Sequence, residues 1–373
     1  MRIGLDATSI FGFGGIKTYA RQLAAALASR CTEDSIVLLS TFSSSRRKKL
    51  KKLFRDHSNV EIKAVLPHPM MLGEGLLPLT RLISAFISRT FLSHMDVIHI
   101  TDPYGSALPS GGAVVTVHDV FPLTREEYLD TPLREYYQKK TPVILRKAAA
   151  VIVPTEYVRE SLVSRYGRFA HKVYVVPEAA SKTFSPSISC PEVLEENSIS
   201  KGSYFLFVGR ADPRKNLENL LEAFRLYRKG GGDRLLLLVL SGSAPLEPEL
   251  TGGDHVGILR DVSQEQLETL YAAAEAFVFP TLDEGFGLPV LEAMQSGCPV
   301  ISSRTSCIPE VAGEAALLTD PEDPEEIAEA MELLAGSSKT RGELVGKGLE
   351  RAAEFSWSRS AEETMEVYLE SLI

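Results

Sequence analysis

The stretch Phe279-Pro-Thr-Leu-Asp-Glu284-Gly-Phe-Gly-Leu-Pro-Val-Leu-Glu292-Ala-Met294 decides the fold. It starts at the end of a short apolar run, residues 275–280, passes through two glycines and continues into a helical pattern that begins near Pro289. Proline suits the first helical position because the N–H that it lacks has no helical partner there. We therefore predict a strand, a glycine-rich loop carrying Glu284, and a helix with Glu292 in its first turn.

The loop is predicted to bind a phosphate group. Backbone N–H groups at the start of a helix, together with the positive end of the helix dipole, attract an anion. Two carboxylates do not bind phosphate, but Glu284 and Glu292 can hold hydroxyl groups attached on either side of it. An anion flanked by two polyols describes a sugar nucleotide. The alternative is an ordinary strand-loop-helix with one solvated glutamate and one glutamate near the dipole.

A second motif favours the sugar-nucleotide interpretation. The apolar run Tyr204–Val208 is followed by Gly209-Arg210-Ala-Asp-Pro-Arg-Lys215-Asn216, which opens a helical pattern. In open α/β sheets, ligands bind beyond the carboxyl ends of the strands. Two cations at such an edge can clamp a diphosphate. Without a bound anion, the positive charges of Arg210 and Lys215 would be unfavourable beside the positive end of the helix dipole.

The whole chain alternates strand and helix patterns, which predicts two doubly wound parallel sheets in two Rossmann-like domains. A Ser/Pro-rich stretch around residues 181–191 separates residues 1–183 from residues 184–357. The last segment, residues 357–373, has an amphipathic helical pattern. The predicted strands are Ile3–Ala7, Ile36–Ser40, Val97–Ile100, Val114–His118, Ala149–Pro154, Val173–Val176, Tyr204–Val208, Leu235–Leu240, Ala276–Phe279 and Pro299–Ser302.

Composition narrows the class of protein. A chain of 373 residues suits two domains rather than one core. The net charge of −9 argues against general nucleic-acid binding, and the four scattered cysteines indicate neither a zinc site nor a disulfide framework. Charge is uneven, since residues 1–183 carry 25 lysines and arginines against 16 acidic residues. We expect a cytoplasmic protein without a signal peptide or a membrane span.

The densest basic cluster, Arg46-Arg-Lys-Lys-Leu-Lys-Lys52, falls on a predicted helix. Such cations attract anionic lipid headgroups, so a peripheral contact with the inner face of a membrane is one interpretation. A solvated helix face is the other. The apolar pattern from Leu76 to Leu92 is expected to form an amphipathic helix, which either packs on the sheet or helps to form a groove for an acceptor or membrane.

Together these motifs resemble the retaining glycosyltransferases of family 4, which have the two-domain GT-B architecture. The resemblance rests on Gly209-Arg210 with Lys215-Asn216, on the Glu-x7-Glu pattern from Glu284 to Glu292, and on Gly297-Cys-Pro-Val-Ile-Ser302. Gly14-Gly15 and Val117-His118-Asp119 extend it into the first half. It implies two Rossmann-like domains facing across a cleft, with helix 358–373 crossing back to the first.

The resemblance also implies roles for particular residues. Arg210 and Lys215 contact the diphosphate, and Glu284 contacts hydroxyls of the donor sugar. Glu292 accepts hydrogen bonds from the ribose. The remaining predicted site residues are Gly285, Phe286, Gly287 and Leu288, around the phosphate, Gly14 and Gly15, over the β-phosphate, and His118, near the anomeric carbon. We expect His118, Glu284, Arg210 and Lys215 to serve catalysis, without a metal or other cofactor.

The implied reaction moves a sugar from a nucleoside diphosphate to a hydroxyl of a glycan or lipid-linked acceptor, in cell-surface polysaccharide or glycolipid synthesis. One departure bears on the donor. Where family members often carry Asn-Gly, this chain reads Val176-Pro-Glu178-Ala-Ala-Ser181. Mannosyl-type members are similar there and at Thr116-Val-His-Asp-Val-Phe-Pro122, so the expected donor is GDP-mannose.

Three alternatives remain at this point. A dinucleotide oxidoreductase would need a third glycine where Lys17 stands, and an acidic residue after the second strand. A sugar-nucleotide 2-epimerase of the same fold would need acid and base carboxylates around the sugar. A non-catalytic sugar-nucleotide-binding protein would not need the complete set of Arg210, Lys215, Glu284 and Glu292.

Overall fold

The computed structural model describes residues 1–12, 14–41, 43–66, 92, 94–106, 111–125, 131–187, 189–242 and 255–373. The chain forms two compact units. Unit 1 comprises Met1–Glu178 and Trp357–Ile373, and unit 2 comprises Ala179–Ser356. The boundary expected between residues 183 and 184 lies a little beyond this division. The helix expected from Leu76 to Leu92 lies outside the described residues, apart from Leu92.

Unit 1 is built on a seven-stranded sheet in which every strand is parallel to its neighbours. The spatial order is β3-β2-β1-β4-β5-β6-β7. The strands are β1 (Arg2–Asp6), β2 (Ser35–Thr41), β3 (Val60–Leu66), β4 (Val97–Ile100), β5 (Val114–Thr116), β6 (Ala150–Val153) and β7 (Val173–Val175). Residues of β5 and β6 are almost wholly buried, as expected for a sheet covered on both faces.

Helices connect the strands of unit 1, and they begin where local capping allows. Thr155, for example, accepts a hydrogen bond from the backbone N–H of Val158 and so starts the helix that follows β6. The helices are α1 (Gly14–Arg30), α2 (Ser44–Leu53), α3 (Phe121–Thr124), α4 (Thr131–Lys147) and α5 (Glu156–Tyr166), with 3₁₀ turns at Ser9–Phe11 and Gly167–Lys172.

Unit 2 repeats the plan with six parallel strands in the order β10-β9-β8-β11-β12-β13. Its strands are β8 (Tyr204–Arg210), β9 (Leu235–Ser241), β10 (Val256–Arg260), β11 (Ala276–Phe279), β12 (Val300–Ser303) and β13 (Leu317–Thr319). Its helices are α6 (Glu192–Glu196), α7 (Leu217–Lys229), α8 (Gln264–Ala273), α9 (Leu288–Gln295), α10 (Ile308–Ala312), α11 (Pro324–Gly336) and α12 (Ser338–Ala353), with a 3₁₀ turn at Pro213–Lys215.

The last helix, α13 (Trp357–Glu370), belongs to unit 1 and packs against α1. Its buried face carries Trp357 and Tyr368. The Tyr368 hydroxyl lies 2.7 Å from Nδ1 of His99, a buried residue of β4. On the rim, Arg30 pairs with Glu362 at 2.8 Å. The amphipathic pattern of residues 357–373 is therefore explained by a helix that closes one side of the first sheet.

In both units the strand order reverses beside the first strand. The reversal lies between β1 and β4 in unit 1 and between β8 and β11 in unit 2. Connections leave these neighbouring strands in opposite directions, which opens a crevice beyond their carboxyl ends, where ligands bind in open α/β sheets. The predicted doubly wound class is confirmed. The strands β3, β10 and β13 had no counterpart in the sequence prediction.

Two further observations concern the chain as a whole. Within the described ranges, every helix is too short or too polar to span a lipid bilayer. The four cysteines carry free thiols, and two of them, Cys298 and Cys307, are buried.

Candidate functional site

The crevice between β8 and β11 holds the predicted residues of unit 2. Beyond β8, the 3₁₀ turn Pro213–Lys215 leads to Asn216, whose φ of 58° places it in the left-handed region that asparagine tolerates. The Asn216 side-chain amide donates to the carbonyl oxygens of Pro280 (2.9 Å) and Pro321 (2.5 Å). Asn216 thus fixes the loop after β8 against the segments that follow β11 and β13.

This anchoring brings Lys215 and Glu284 together. Lys215 is only 8% exposed, and its Nζ forms an ion pair with Oε1 of Glu284. The same ammonium lies 4.9 Å from the centre of the Phe279 ring. A second tie between the loops is the hydrogen bond from the Leu282 N–H to the Arg214 carbonyl oxygen, at 2.8 Å. Residues predicted from two separate motifs therefore share one buried contact.

The glycine-rich loop ends where α9 begins, at Leu288. Gly287 precedes it with a φ of 87°, and a Cβ atom there would lie 2.9 Å from Cδ1 of Ile308, so a side chain fits neither the backbone nor the space. Phe286 is 5% exposed and meets Phe355 edge to face, which holds the loop down. The first-turn N–H groups of α9 have no helical acceptor, so this end of the helix suits an anion.

Glu292 lies in the second turn of α9, and its predicted position in the first turn is wrong. The helix begins at Leu288 rather than at Pro289, and Glu292 is its fifth residue. Its carboxylate accepts a hydrogen bond from the buried Tyr271 hydroxyl at 3.2 Å. Burial raises the pKa of Glu292 to about 7, although the bond from Tyr271 acts in the opposite direction. The surroundings of the Glu292 carboxyl group are therefore set by its packing against Tyr271 and not by the helix dipole.

The raised pKa predicts a dependence of stability on pH. Below the ordinary pKa of 4.5 both folded and unfolded chains are protonated at Glu292. Between 4.5 and about 7 only the folded chain keeps the proton, so the free energy of unfolding falls as the pH rises through this window. The stability difference between Glu292→Gln and wild type should therefore shift in favour of the variant by about 3 kcal/mol between pH 4.5 and pH 8.

Urea unfolding of both proteins at the two pH values measures this difference. The glutamine keeps a hydrogen-bond acceptor for Tyr271, so it serves as a shape-matched substitution. Stability curves that run parallel from pH 4.5 to pH 8 would show that Glu292 titrates as an ordinary surface carboxylate.

Arg210, the other predicted diphosphate contact, is the last residue of β8 and is exposed. It therefore stands at the same sheet edge as Lys215, with a guanidinium that can form two parallel hydrogen bonds to a phosphate. Gly285 is buried between Glu284 and Phe286. The chemistry available at this edge is anion binding, by two cations and a helix terminus, beside two carboxyl groups that accept hydrogen bonds from hydroxyls.

The predicted residues of unit 1 lie at the crevice between β1 and β4 and beside it. Gly14 starts α1 with a φ of 65°, and nothing lies within 4 Å of the position that a Cβ atom would take. Backbone conformation, rather than packing, therefore calls for glycine there. Gly15 follows in the exposed first turn. His118 comes just after β5 and is half-buried.

Both ring nitrogens of His118 are used within unit 1. Nε2 donates to the carbonyl oxygen of Thr101 at 2.8 Å, and Nδ1 lies 3.0 Å from Oε1 of the buried Glu178. Burial alone lowers the pKa of His118, but the hydrogen bond and charge of Glu178 and the Thr101 carbonyl outweigh it, so the pKa is raised above its ordinary value. A histidine held in this way positions its surroundings and offers no free nitrogen as a base.

The sequence reading missed several residues that hold the predicted ones. The sequence motifs mark Glu178 only as a departure from the Asn-Gly pattern, but it follows a strand of the same sheet as His118, and this shared sheet edge is a signal that could have identified it. Tyr271 and Asn216 had no role assigned. Within the described residues, no group of three or more His, Cys, Asp or Glu side chains could hold a metal ion. The absence of a metal from the reaction stays a prediction.

A chain with two doubly wound parallel-sheet domains has the fold of the GT-B glycosyltransferases. Sucrose-phosphate synthase from Thermosynechococcus elongatus superimposes with a TM-score of 0.75, covering 99% of this chain and 98% of that one at 20% sequence identity. At that identity the likeness shows the fold alone.

Sequence comparison gives the family. Residues 13–180 match the family described as Glycosyltransferase Family 4, and residues 192–351 match Glycosyl transferases group 1. The O-antigen chain mannosyltransferase B of Escherichia coli is 31% identical over 69% of this chain and 70% of its own length. The MMP alpha-(1->4)-mannosyltransferase of Mycolicibacterium hassiacum is 30% identical over 73% and 70%.

The chain belongs to glycosyltransferase family 4, and it is a glycosyltransferase. The oxidoreductase, epimerase and non-catalytic alternatives are no longer needed to explain its motifs.

Proposed function

We propose that the protein transfers mannose from GDP-mannose, with retention of the anomeric configuration, to a hydroxyl of a glycan or lipid-linked acceptor in the synthesis of a cell-surface polysaccharide. The observation that carries the proposal is the buried Lys215–Glu284 pair at the crevice between β8 and β11. It sets a cation for the diphosphate beside a carboxylate for the sugar. The choice of mannose rests on the mannosyltransferases of Escherichia coli and Mycolicibacterium hassiacum.

In the proposed complex, Lys215 and Arg210 bind the diphosphate, with the N-terminus of α9 facing the same anion. Glu284 accepts hydrogen bonds from sugar hydroxyls on one side, and Glu292 accepts them from the ribose on the other. Gly14 and Gly15 are proposed to approach the β-phosphate. The structure shows Lys215 already paired with Glu284, so the bound diphosphate would share an ammonium that is held in place beforehand.

The transfer needs little beyond positioning and charge stabilisation. The acceptor oxygen forms a bond to C1 of the sugar, while the bond between C1 and the β-phosphate oxygen breaks. The acceptor proton passes to the leaving phosphate, and GDP departs. Arg210 and Lys215 stabilise the negative charge that develops on the diphosphate, and no metal is required. His118 contributes by holding the loop after β5, with Glu178 fixing its ring.

A panel of nucleotides tests the donor. We expect GDP to raise the melting temperature more than UDP or ADP, since a ligand that binds only the folded state stabilises it by about 2.7 kcal/mol at 100 times its Kd. GMP is the matched control, because it lacks the phosphate that Arg210 and Lys215 would clamp, and it should give a much smaller shift. A larger shift with UDP or ADP would contradict the guanine donor, and no shift with any of them would contradict nucleotide binding.

We also propose that α2 contacts an anionic membrane surface. The side chains of Arg47, Lys48, Lys49, Lys51 and Lys52 are exposed, whereas Leu50 is buried and faces the core. Each cation near an anionic leaflet contributes about 1 kcal/mol to binding.

We expect the protein to cosediment with vesicles containing phosphatidylserine but not with vesicles of phosphatidylcholine alone. Lys48→Glu with Lys52→Glu should abolish this, while Lys339→Glu, at an exposed site of α12, should not. If both variants bind the vesicles equally well, α2 is a solvent-exposed helix and does not contact the membrane.

A further inference from the structure

Helix α8 carries a recessed carboxylate that none of the proposed donor contacts uses. Glu268 is the fifth residue of α8 and only 8% exposed. It lies one helical turn before Tyr271, so the two side chains share a face of the helix. The Tyr271 hydroxyl donates to Glu292 of α9 at 3.2 Å, and this contact brings the same face of α8 against the predicted ribose contact.

Glu268 and Glu292 are close enough to interact electrostatically. Burial is the largest cause of the raised pKa of Glu292, and the charge of Glu268 raises that pKa further. Both helices begin at the carboxyl edge of the second sheet, since α8 follows β10 and α9 follows β11. The two carboxyl groups therefore lie on neighbouring helices, each about one turn from the helix start.

One oxygen of Glu268 is held in place, and the other is available. Oε1 accepts a hydrogen bond from the side-chain amide of Gln264 at 3.0 Å. Gln264 opens α8, where a capping box between Ser263 and Gln266 fixes the start of the helix. Oε2 accepts no hydrogen bond from the residues that the structure describes, and it is not sealed off from solvent. A side chain that is more than nine-tenths buried thus keeps one oxygen that a ligand can reach.

The position of Glu268 sets which part of the donor it meets. In the proposed complex the diphosphate lies at Arg210 and Lys215, and the ribose lies at Glu292. The ribose joins the diphosphate to the base. A carboxylate repels a phosphate group, so Glu268, beside Glu292, is suited to the base rather than to the diphosphate.

Guanine is the base whose edge matches a carboxylate. It presents two adjacent donors, N1–H and the N2 amino group, which two carboxylate oxygens can accept in parallel. Adenine presents its N6 amino group beside an acceptor nitrogen, and uracil presents N3–H between two carbonyl oxygens that a carboxylate repels. Oε1 of Glu268 has a second lone pair besides the one that Gln264 uses, so both oxygens can take part.

We propose that Glu268 is the residue that selects guanine in the sugar-nucleotide donor, by accepting hydrogen bonds from N1–H and from the N2 amino group. The inference rests on the proposed function, because it names the side chain that would distinguish GDP from other nucleoside diphosphates. Glu268 acts on donor binding and takes no part in the bonds that form and break. Gln264 is a positioning residue, since its amide holds Oε1 of Glu268.

Two diphosphates that differ by one amino group test the inference on the full-length protein. Inosine diphosphate (IDP) is GDP without the N2 amino group, and calorimetric titration gives the Kd of each. We expect wild type to bind GDP at least about tenfold more tightly than IDP, because IDP lacks one charge-assisted hydrogen bond. Equal affinities of wild type for GDP and IDP would overturn the inference, and this measurement needs no variant to fold.

The variant Glu268→Gln should remove this discrimination. The glutamine keeps an oxygen for Gln264, but its amide group sets a donor against the donors of guanine. We expect the Kd for GDP to rise at least about tenfold, and GDP and IDP then to bind within about threefold of each other. Glu265→Gln, at an exposed position of the same helix, is the matched control and should keep the wild-type ratio.

The outcomes separate this inference from the proposed function. If wild type binds UDP or ADP more tightly than GDP, the proposed donor is wrong, and the selection of guanine by Glu268 is wrong with it. If GDP binds best but Glu268→Gln weakens GDP and IDP equally, Glu268 holds the ribose or the fold rather than the base. In that case the proposed donor stands, and the inference about Glu268 alone fails.

Discussion

Replacing Glu284 with alanine is expected to lower the rate of sugar transfer by about 100-fold or more, while GDP still binds. Glu284 is proposed to hold the hydroxyls of the donor sugar, and misplacement of a reacting group by about 1 Å is enough for a loss of that size. Its removal also takes away the carboxylate that pairs with the Lys215 ammonium, and Lys215 itself is kept for the diphosphate.

Steady-state kinetics with saturating donor, together with GDP titration, measures both parts of this expectation. Glu284→Gln keeps the size and shape of the side chain, so it shows how much of the effect comes from the loss of the charge alone. Glu265→Gln, at an exposed position in α8, is the control for a lost acidic charge in the same unit. Transfer by Glu284→Ala at the wild-type rate would remove this residue from the mechanism.

The second large effect is expected from Lys215→Met, which should weaken GDP binding at least about tenfold through the loss of a charge-assisted contact of roughly 1.5–3 kcal/mol. It should also destabilise unit 2, since Glu284 would be left as a mostly buried carboxylate without its cation. Breaking a buried pair by removing one partner costs about 3–5 kcal/mol. Lys215 and Glu284 have side chains that are 10% and 12% exposed, which places the pair in that class.

The two effects of Lys215→Met can be separated. The double variant Lys215→Met with Glu284→Gln removes both charges, so it should recover much of the stability but none of the GDP affinity. Lys229→Met, at an exposed site at the end of α7, controls for a lost positive charge. Calorimetric titration of GDP against the variants is the measurement. An unchanged Kd in Lys215→Met would put the diphosphate elsewhere.

The sequence predicted the central strands better than the edges of the sheets. β1, β5, β6, β8 and β11 are covered on both faces and read as short apolar runs, which is the pattern of buried parallel strands. The strands β3, β10 and β13 lie at sheet edges, and their residues are largely half-exposed. A half-exposed strand does not have to be apolar throughout, and β3 carries Glu61 and Lys63. Composition therefore gives no clear signal for these edge strands.

In the site, too, the sequence predicts individual residues from local motifs but not the contacts that depend on the three-dimensional fold. Glu284 and Lys215 are predicted from motifs, because each lies in the loop that follows a strand. Their mutual ion pair could not be predicted, since it depends on β8 and β11 being neighbours although β9 and β10 come between them in the chain. The predicted start of α9 is one residue too late, so Glu292 lies in the second turn rather than the first. Its hydrogen bond with Tyr271 depends on the packing of α8 beside α9, which no local pattern shows. Helix ends depend on cap geometry, which the amino-acid sequence specifies only to within one or two residues.

The membership of α13 in unit 1 bears on how the chain is made. Unit 2 is one continuous segment, Ala179–Ser356, and all of it leaves the ribosome before Trp357 and Tyr368 do. Those two side chains fill the space beside Tyr19 and His99, so unit 1 is completed only by residues that are translated after unit 2. The nascent chain therefore holds an unfinished apolar surface throughout synthesis of the second domain, the period in which a chaperone or an aggregation partner would meet it.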